Sequence, residues 1–270
     1  IDAYRTELLT EQERGLGVAL NTVAYRVAMM VSTALALLIA AKFGWHFMYV
    51  LMGFLFLILA IFTFYAPSEN VLVHYPKSFK EAVVGPAQEL LSRENIFLIL
   101  IFIVIYKLCD AMALSLNTTF LIRGVGFSLV EIGAVSKVAG LVGALLGSVI
   151  GGFLLPRLGL YRALLSFGFL QTSSNLLYAW LAWHGKSMVG MAVAMFGEYF
   201  CGGLATVAFV VFLMQLCDTR YTATQYALFS AVAALGRIFV GPMAAVIVKH
   251  FGWVDFYILT AIVGLPGLGV

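Results

Sequence analysis

Charge is scarce in this sequence. Asp, Glu, Lys and Arg supply 11% of its 270 residues, and hydrophobic types supply 63%. A soluble domain carries about 25% charged and about 45–50% apolar residues. With a mean hydropathy of +1.02, a globule of this size has nowhere to bury its apolar side chains. A soluble enzyme and a disordered chain are therefore excluded. So is a nucleic-acid binder, because the net charge is only +3 and scattered, too little for a basic face. Cysteine is scarce too. Cys109, Cys201 and Cys217 are odd in number and form no CxxC pair, so they read as small buried residues and not as a disulfide framework or metal site. His46, His74, His184 and His250 lie far apart with none paired at i,i+4, which excludes a helical zinc motif. No basic stretch leads into a short apolar one after Ile1, so no signal peptide is read. The first residue is not Met and the last lie in an apolar run. The expectation is a segment of a longer polytopic membrane protein.

Long apolar runs are what the chain has. A transmembrane helix needs about 20 mostly apolar residues at about 1.5 Å each. Eight stretches qualify: 15–41, 46–66, 95–121, 129–155, 160–183, 187–216, 223–248 and 252–270, the last expected to be incomplete. In a bilayer every backbone polar group must be satisfied internally, which makes these helices. Barrel strands would alternate in polarity; LILIFIVIY and VAFVVFLM do not. The expected fold class is an all-α polytopic bundle with short turns between antiparallel neighbours. The exception is 67–94, with Pro67, Pro76 and Pro86. There Ser78-Phe-Lys-Glu81 has the form of a capping box, and Phe79, Val83, Ala87, Leu90 and Leu91 follow at helical spacing. The segment reads as an amphipathic helix on the membrane surface, or as a soluble linker with no preferred face.

Orientation follows from Lys and Arg. Residues 1–14, 67–94, 156–162 and 217–222 carry eight: Arg5, Arg14, Lys77, Lys80, Arg93, Arg157, Arg162 and Arg220. The alternate turns carry four: Lys42, Arg123, Lys186 and Lys249. The richer set is expected on the cytoplasmic side, together with the start of the chain.

Phe43-Gly-Trp45-x-x-x-Tyr49-x-Leu51 recurs as Phe251-Gly-Trp253-x-x-x-Tyr257-x-Leu259. Each copy closes one long span and opens the next. Matched copies suggest two homologous half-bundles, although a Gly-Trp pair also suits any interfacial turn with an aromatic anchor. On the first reading 1–66 ends one half, 67–94 is the link and 95–270 is most of the second half.

Ionisable groups inside spans are functional candidates, because each costs a few kcal/mol to insert. Lys107 and Asp110 lie three apart on one helix face and can neutralise each other in a water-lined cavity. Asn117 is two turns beyond Asp110. Glu198 has no basic residue three or four positions away; it is a candidate proton carrier, or a permanent partner of Lys137 or Arg237. Lys137 can snorkel, line the cavity or pair with a carboxylate. Gln171, Asn175 and Tyr178 fall at i, i+4, i+7 and either face a cavity or join helices. Gln225, with Thr224 and Ser230, is equally open. Arg26 and Arg237 sit in the penultimate span of each half and suggest gating or packing between halves. Gly143, Gly147 and Gly151 form a small-residue face for close helix approach.

Two motifs resemble the major facilitator superfamily. Glu13-Arg-Gly15 opens a span as ERG does in that family. Gly152-x-x-x-Pro156-Arg157-x-Gly159-x-x-Arg162 resembles its loop motif GxxxDRxGRR, with Pro156 at the acidic position. The longer stretches DAYRTELL at 2–9, YKLCDAMALSLNTTFLIRGVGF at 106–127, CGG at 201–203, ATQYALFSA at 223–231 and GRIFVGP at 236–242 resemble the AmpG muropeptide permeases. The resemblance implies a monomeric importer in the bacterial inner membrane. Its cargo would be N-acetylglucosaminyl-anhydro-muramyl peptides, moved from periplasm to cytoplasm for cell-wall recycling and feeding β-lactamase induction. It would have no cofactor and be driven by the proton gradient. The resemblance places Lys107 and Asp110 on a cavity-lining helix, and Asp2 and Arg5 at a cytoplasmic gate; Arg157 and Arg162 belong to the loop motif. An acetyl-coenzyme A carrier would want clustered phosphate-binding cations, which the four dispersed basic residues within spans do not supply. A membrane-embedded enzyme would need a nucleophile–base pair or metal set, and none is legible.

Overall fold

The computed structural model describes residues 2–67 and 79–265. The described residues are helical almost throughout: α1 Asp2–Leu8, α2 Glu11–Met30, α3 Ala36–Phe64, α4 Phe79–Leu91, α5 Ile96–Ser115, α6 Asn117–Thr119, α7 Leu129–Val135, α8 Leu141–Leu158, α9 Leu160–His184, α10 Met188–Leu216 and α11 Thr222–Gly264. Single π turns at Val31–Leu35, Phe120–Gly124 and Ser136–Gly140 join α2 to α3, follow α6, and join α7 to α8. Among the described residues five continuous stretches are long and apolar enough to cross a membrane: Ala36–Phe64, Ile96–Gly124, Leu129–Leu158, Met188–Leu216 and Thr222–Gly264. Leu160–His184 has the length, but Gln171, Thr172, Ser174 and Asn175 dilute its apolar content.

The expected spans are joined where the chain turns on glycine. Gly44 (φ 86, ψ 161) divides α3, and Gly252 (φ 82, ψ 178) divides α11. Gly159 and Gly185 take nearly the same conformation at the two ends of α9. That region is open essentially to glycine alone, so a one-residue reversal between long helices requires it.

Close packing of α8 on α10 organises the interior. A Cβ on Gly147 would lie 2.0 Å from the Phe200 carbonyl oxygen, and one on Gly143 2.7 Å from that of Phe196. On the other side of α8, Gly152 meets Gly15 and Ala19 of α2. The small-residue face therefore works as the sequence suggested, letting backbones touch. One core gathers Ile103, Tyr106, Phe167, Phe209 and Phe229; a second gathers Phe120, Tyr178, Met191, Phe256 and Tyr257.

Polar contacts gather at the two ends of the bundle. At one end Tyr4 donates to the Pro67 carbonyl at 2.8 Å, and Arg93 donates to the Leu216 carbonyl at the C-terminus of α10. At the other, Lys186 pairs with Glu131 at 3.1 Å and lies over Phe127. Ser128 and Glu131 form a capping box there. The capping box expected at Ser78 lies outside the described residues. The helix expected after it is present as α4, but its apolar residues divide. Leu90 enters the first core, while Val83 and Leu91 are exposed. Glu89 and Arg93 dock α4 on the α10–α11 corner, so the segment is held by protein as well as by any membrane surface.

Two outcomes are expected. Gly147→Ala in the full-length protein should cost at least about 2 kcal/mol, because the backbone carbonyl it strikes cannot rotate away. Gly133→Ala, with open space around it, should be neutral or slightly stabilising; thermal unfolding in detergent compares them. Separately, a single cysteine at the exposed Gln88, in an otherwise cysteine-free protein, should resist an impermeant reagent in intact cells and react after permeabilisation. Labelling in intact cells would reverse the topology.

Candidate substrate and proton pathway

α5, α10 and α11 enclose a cavity of about 640 Å³. Its polar lining comprises Lys107, Asp110, Ser115, Thr206, Ser230 and Arg237, facing Leu114, Phe209 and Leu213. Lys107 Nζ lies 3.7 Å from Asp110 Oδ2, donates to Thr206 Oγ1 at 3.1 Å and sits 5.4 Å above the Phe209 ring. Tyr106 stacks on the same ring at 5.4 Å. The Lys107 ammonium is thus held by a charge, a hydroxyl and an aromatic face together. Arg237 adds a second cation to the wall with no ion pair among the described residues.

Asp110 also lines a smaller space of about 110 Å³ with Thr22, Arg26, Ser148, Glu198 and Tyr199. Gln171 Nε2 donates to Asp110 Oδ1 at 3.3 Å and to Glu198 Oε1 at 2.8 Å. Ser174 donates to Glu198 Oε2 at 2.7 Å. The result is a continuous line, Lys107–Asp110–Gln171–Glu198–Ser174, crossing from α5 to α9 to α10. Glu198 is 2% exposed, and both its oxygens rest on neutral donors. Neither Lys137 nor Arg237 pairs with it. No cluster of metal-ligating side chains occurs among the described residues.

The description Major Facilitator Superfamily matches residues 1–241. This chain belongs to the major facilitator superfamily. It is 46% identical, over 99% of its own length and 55% of the relative's, to the anhydromuropeptide permease of Escherichia coli strain K12. It is 28% identical, over 99% of its length and 66% of the relative's, to the putative transporter AmpG 4 of Rickettsia conorii. The chain spans about half to two thirds of the length of these relatives.

For a facilitator, the sequence-predicted residues divide into those at the cavities and those elsewhere. Lys107, Asp110, Gln171 and Glu198 come together. Arg237 and Arg26, expected in gating or packing, line the larger and the smaller cavity respectively. Asn117 does not join them. The helix breaks at Leu116 (φ −113, ψ 7), which removes the phase that would set Asn117 over Asp110; it donates instead to Tyr178 at 3.1 Å within the second core. Lys137 is exposed and lines neither cavity, because the π turn Ser136–Gly140 shifts the helix phase there. Asn175 is fully buried behind Gln171. Gln225 lines neither cavity. It donates to Glu89 and accepts from Arg93 and the Asp218 amide at the α10–α11 corner, where Arg220 holds the Asp218 carboxyl down at about 2. Asp2 and Arg5 pair with each other at the same end. Arg157 and Arg162 are exposed at the α8–α9 turn with no ion pair among the described residues.

Sequence reasoning missed Thr206, Ser174 and Thr22. Glu198, Gly202 and Thr206 step by four, and Gln171 and Ser174 by three, so helical spacing from each candidate polar residue would have found the first two.

Removing one member of the Lys107–Asp110 pair should be worse than removing both. Asp110→Asn strands a partly buried ammonium and should cost about 1–3 kcal/mol. The double variant Lys107→Gln/Asp110→Asn should recover most of it. Thermal unfolding of the full-length variants measures the difference; equal losses would show that the pair is not coupled.

Proposed function

We propose that this chain is part of a proton-coupled importer of anhydro-muropeptides, carrying them from periplasm to cytoplasm across the bacterial inner membrane. The observation that carries the reading is the buried carboxyl of Glu198, joined through Gln171 to an ion pair on the wall of a large cavity. Muropeptides present sugar hydroxyls, amides and peptide carboxylates. Lys107 and Arg237 suit the carboxylates, Ser115, Thr206 and Ser230 the neutral groups, and Leu114 and Leu213 the apolar edges. The name of the Escherichia coli relative supports the cargo class. In this reading 1–66 ends the first half, 67–94 is the cytoplasmic link and 95–270 belongs to the second half. The transporter works as a monomer, needs no cofactor and catalyses no covalent reaction; the proton gradient supplies the energy.

The residues divide the work. Asp110 pairs with Lys107 and organises the cargo site. Glu198 is held by an amide and a hydroxyl, so no fixed cation opposes its protonation. It takes a proton from the periplasmic side and releases it toward the cytoplasm as the halves rock about the site. Glu198→Gln in full-length protein in proteoliposomes should abolish accumulation under an imposed proton gradient and leave downhill exchange of cargo largely intact. If Glu198→Gln still concentrates cargo as the wild type does, the proton carrier lies elsewhere.

A further inference from the structure

Glu198 lines the 110 Å³ space it shares with Asp110 and Arg26. Away from that space, α9 carries polar groups toward the Trp253 end of the bundle. Gln171, Asn175 and Tyr178 stand one above another, and Asn175 and Tyr178 are wholly buried. The line passes to neighbouring helices. The Tyr257 ring stacks on Tyr178 at 5.2 Å, and Asn117 donates to the Tyr178 hydroxyl. Glu198 is close enough for its charge to reach both tyrosine hydroxyls.

Five buried atoms in this strip have no hydrogen-bond partner among the described residues: Gln171 Oε1, both amide atoms of Asn175, Asn117 Oδ1 and the Tyr257 hydroxyl. The other such atoms are all guanidinium nitrogens, on Arg5, Arg14 and Arg26. Folded proteins leave few buried polar atoms unpaired, and where the protein supplies no partner the usual one is ordered water. Unpaired amides on α9 and α6 and an unpaired phenol on α11, gathered around Tyr178, therefore mark a line of hydration. Gln171 to Tyr178 is about 10 Å of helix, a span that about three or four hydrogen-bonded waters cover.

We propose that Gln171, Asn175, Tyr178, Tyr257 and Asn117 hold a file of water that conducts protons between Glu198 and the Trp253 end of the bundle. The inference rests on the proton-coupled reading and deepens it. At the Trp253 end a hydronium ion gives one proton to the first water. Each water then accepts one proton and passes one on, and the last gives its proton to the Glu198 carboxylate. The tyrosine hydroxyls can accept and donate in that sequence; the amides position the waters and do not ionise. Ser174, adjacent to Asn175 in the chain, keeps the receiving carboxyl oriented. The proton leaves Glu198 on the opposite side, where Asp110, Arg26 and Tyr199 face it across the smaller cavity and Lys107 backs Asp110. A carboxyl that exchanges its proton with water on one side and with a cavity on the other, one side at a time as the halves rock, meets the requirement of alternate exposure.

The test uses full-length protein in proteoliposomes with an internal pH dye and labelled anhydro-muropeptide. The readout is the ratio of proton-driven uptake to cargo exchange at zero gradient. Tyr257→Phe deletes one hydroxyl and keeps the ring. Asn175→Leu keeps the volume and deletes both unpaired atoms. Both should lower the ratio by at least about tenfold, and Asn175→Ser, small and polar, should restore most of it. Tyr257→Phe settles the matter if Asn175→Leu does not assemble. An unchanged ratio for Tyr257→Phe and Asn175→Leu, in a protein whose wild type couples, overturns the water file. So does failure of Asn175→Ser to recover, which would point to packing. A wild type that moves cargo with no proton entry overturns the coupled reading itself, and this inference with it.

Discussion

Gln171 donates from one amide nitrogen to carboxyls on two different helices, Asp110 of α5 and Glu198 of α10. Much of the site depends on that bridge. Two carboxyls at membrane depth repel when both are ionised. Here they sit in unequal settings. Asp110 has a lysine one turn away, while Glu198 has only an amide and a hydroxyl. The bridge ties the two carboxyls together, so that a change of charge at one is felt at the other. It also fixes the relative depth of α5, α9 and α10, since a slip of one residue along any of them would move a partner by about 1.5 Å.

That registry needs helices that approach without side chains between them. The contact of α8 with α10 supplies it. Gly143, Gly147 and Gly151 place the α8 backbone against Phe196, Phe200 and Leu204, which presses the same stretch of α10 that carries Glu198 toward α9. Lipid offers no hydrophobic gain for helix association, so close van der Waals contact and interhelical hydrogen bonds must hold the bundle. The glycines of α8 on one side of α10 and the polar donors of α9 on the other are the two halves of that requirement. α10 cannot lose either contact without loosening Glu198.

The helices and turns were legible in the sequence because bilayer thickness and backbone satisfaction dictate them locally. The cavity core was legible in part. Lys107 and Asp110 share one unbroken helix, so spacing placed them correctly. Asn117 was misplaced because the break at Leu116 is a tertiary event, with Phe120 turned into an aromatic cluster with Tyr178, Trp253 and Tyr257. Gln225 could not be placed because its partners Glu89 and Arg93 come from α4 and the turn after it, more than a hundred residues earlier. Periodicity on one helix cannot report what another helix brings to it. Arg26 and Arg237 were found by being ionisable within spans, but their facing on cavities needed the assembled walls.

The repeated Phe-Gly-Trp motif separates what a turn requires from what ancestry preserves. Gly44 and Gly252 share a backbone conformation, but Gly159 and Gly185 adopt it as well with no such motif around them. The glycine is therefore explained by the reversal alone, and only the flanking aromatics bear on duplication. Those aromatics now serve differently. Trp253 packs on Phe120 and closes over Gly124, and Tyr257 stacks on Tyr178, whereas Trp45 and Tyr49 are exposed. If the halves are duplicates, the second copy has put its tyrosine hydroxyl into the buried polar strip above Glu198.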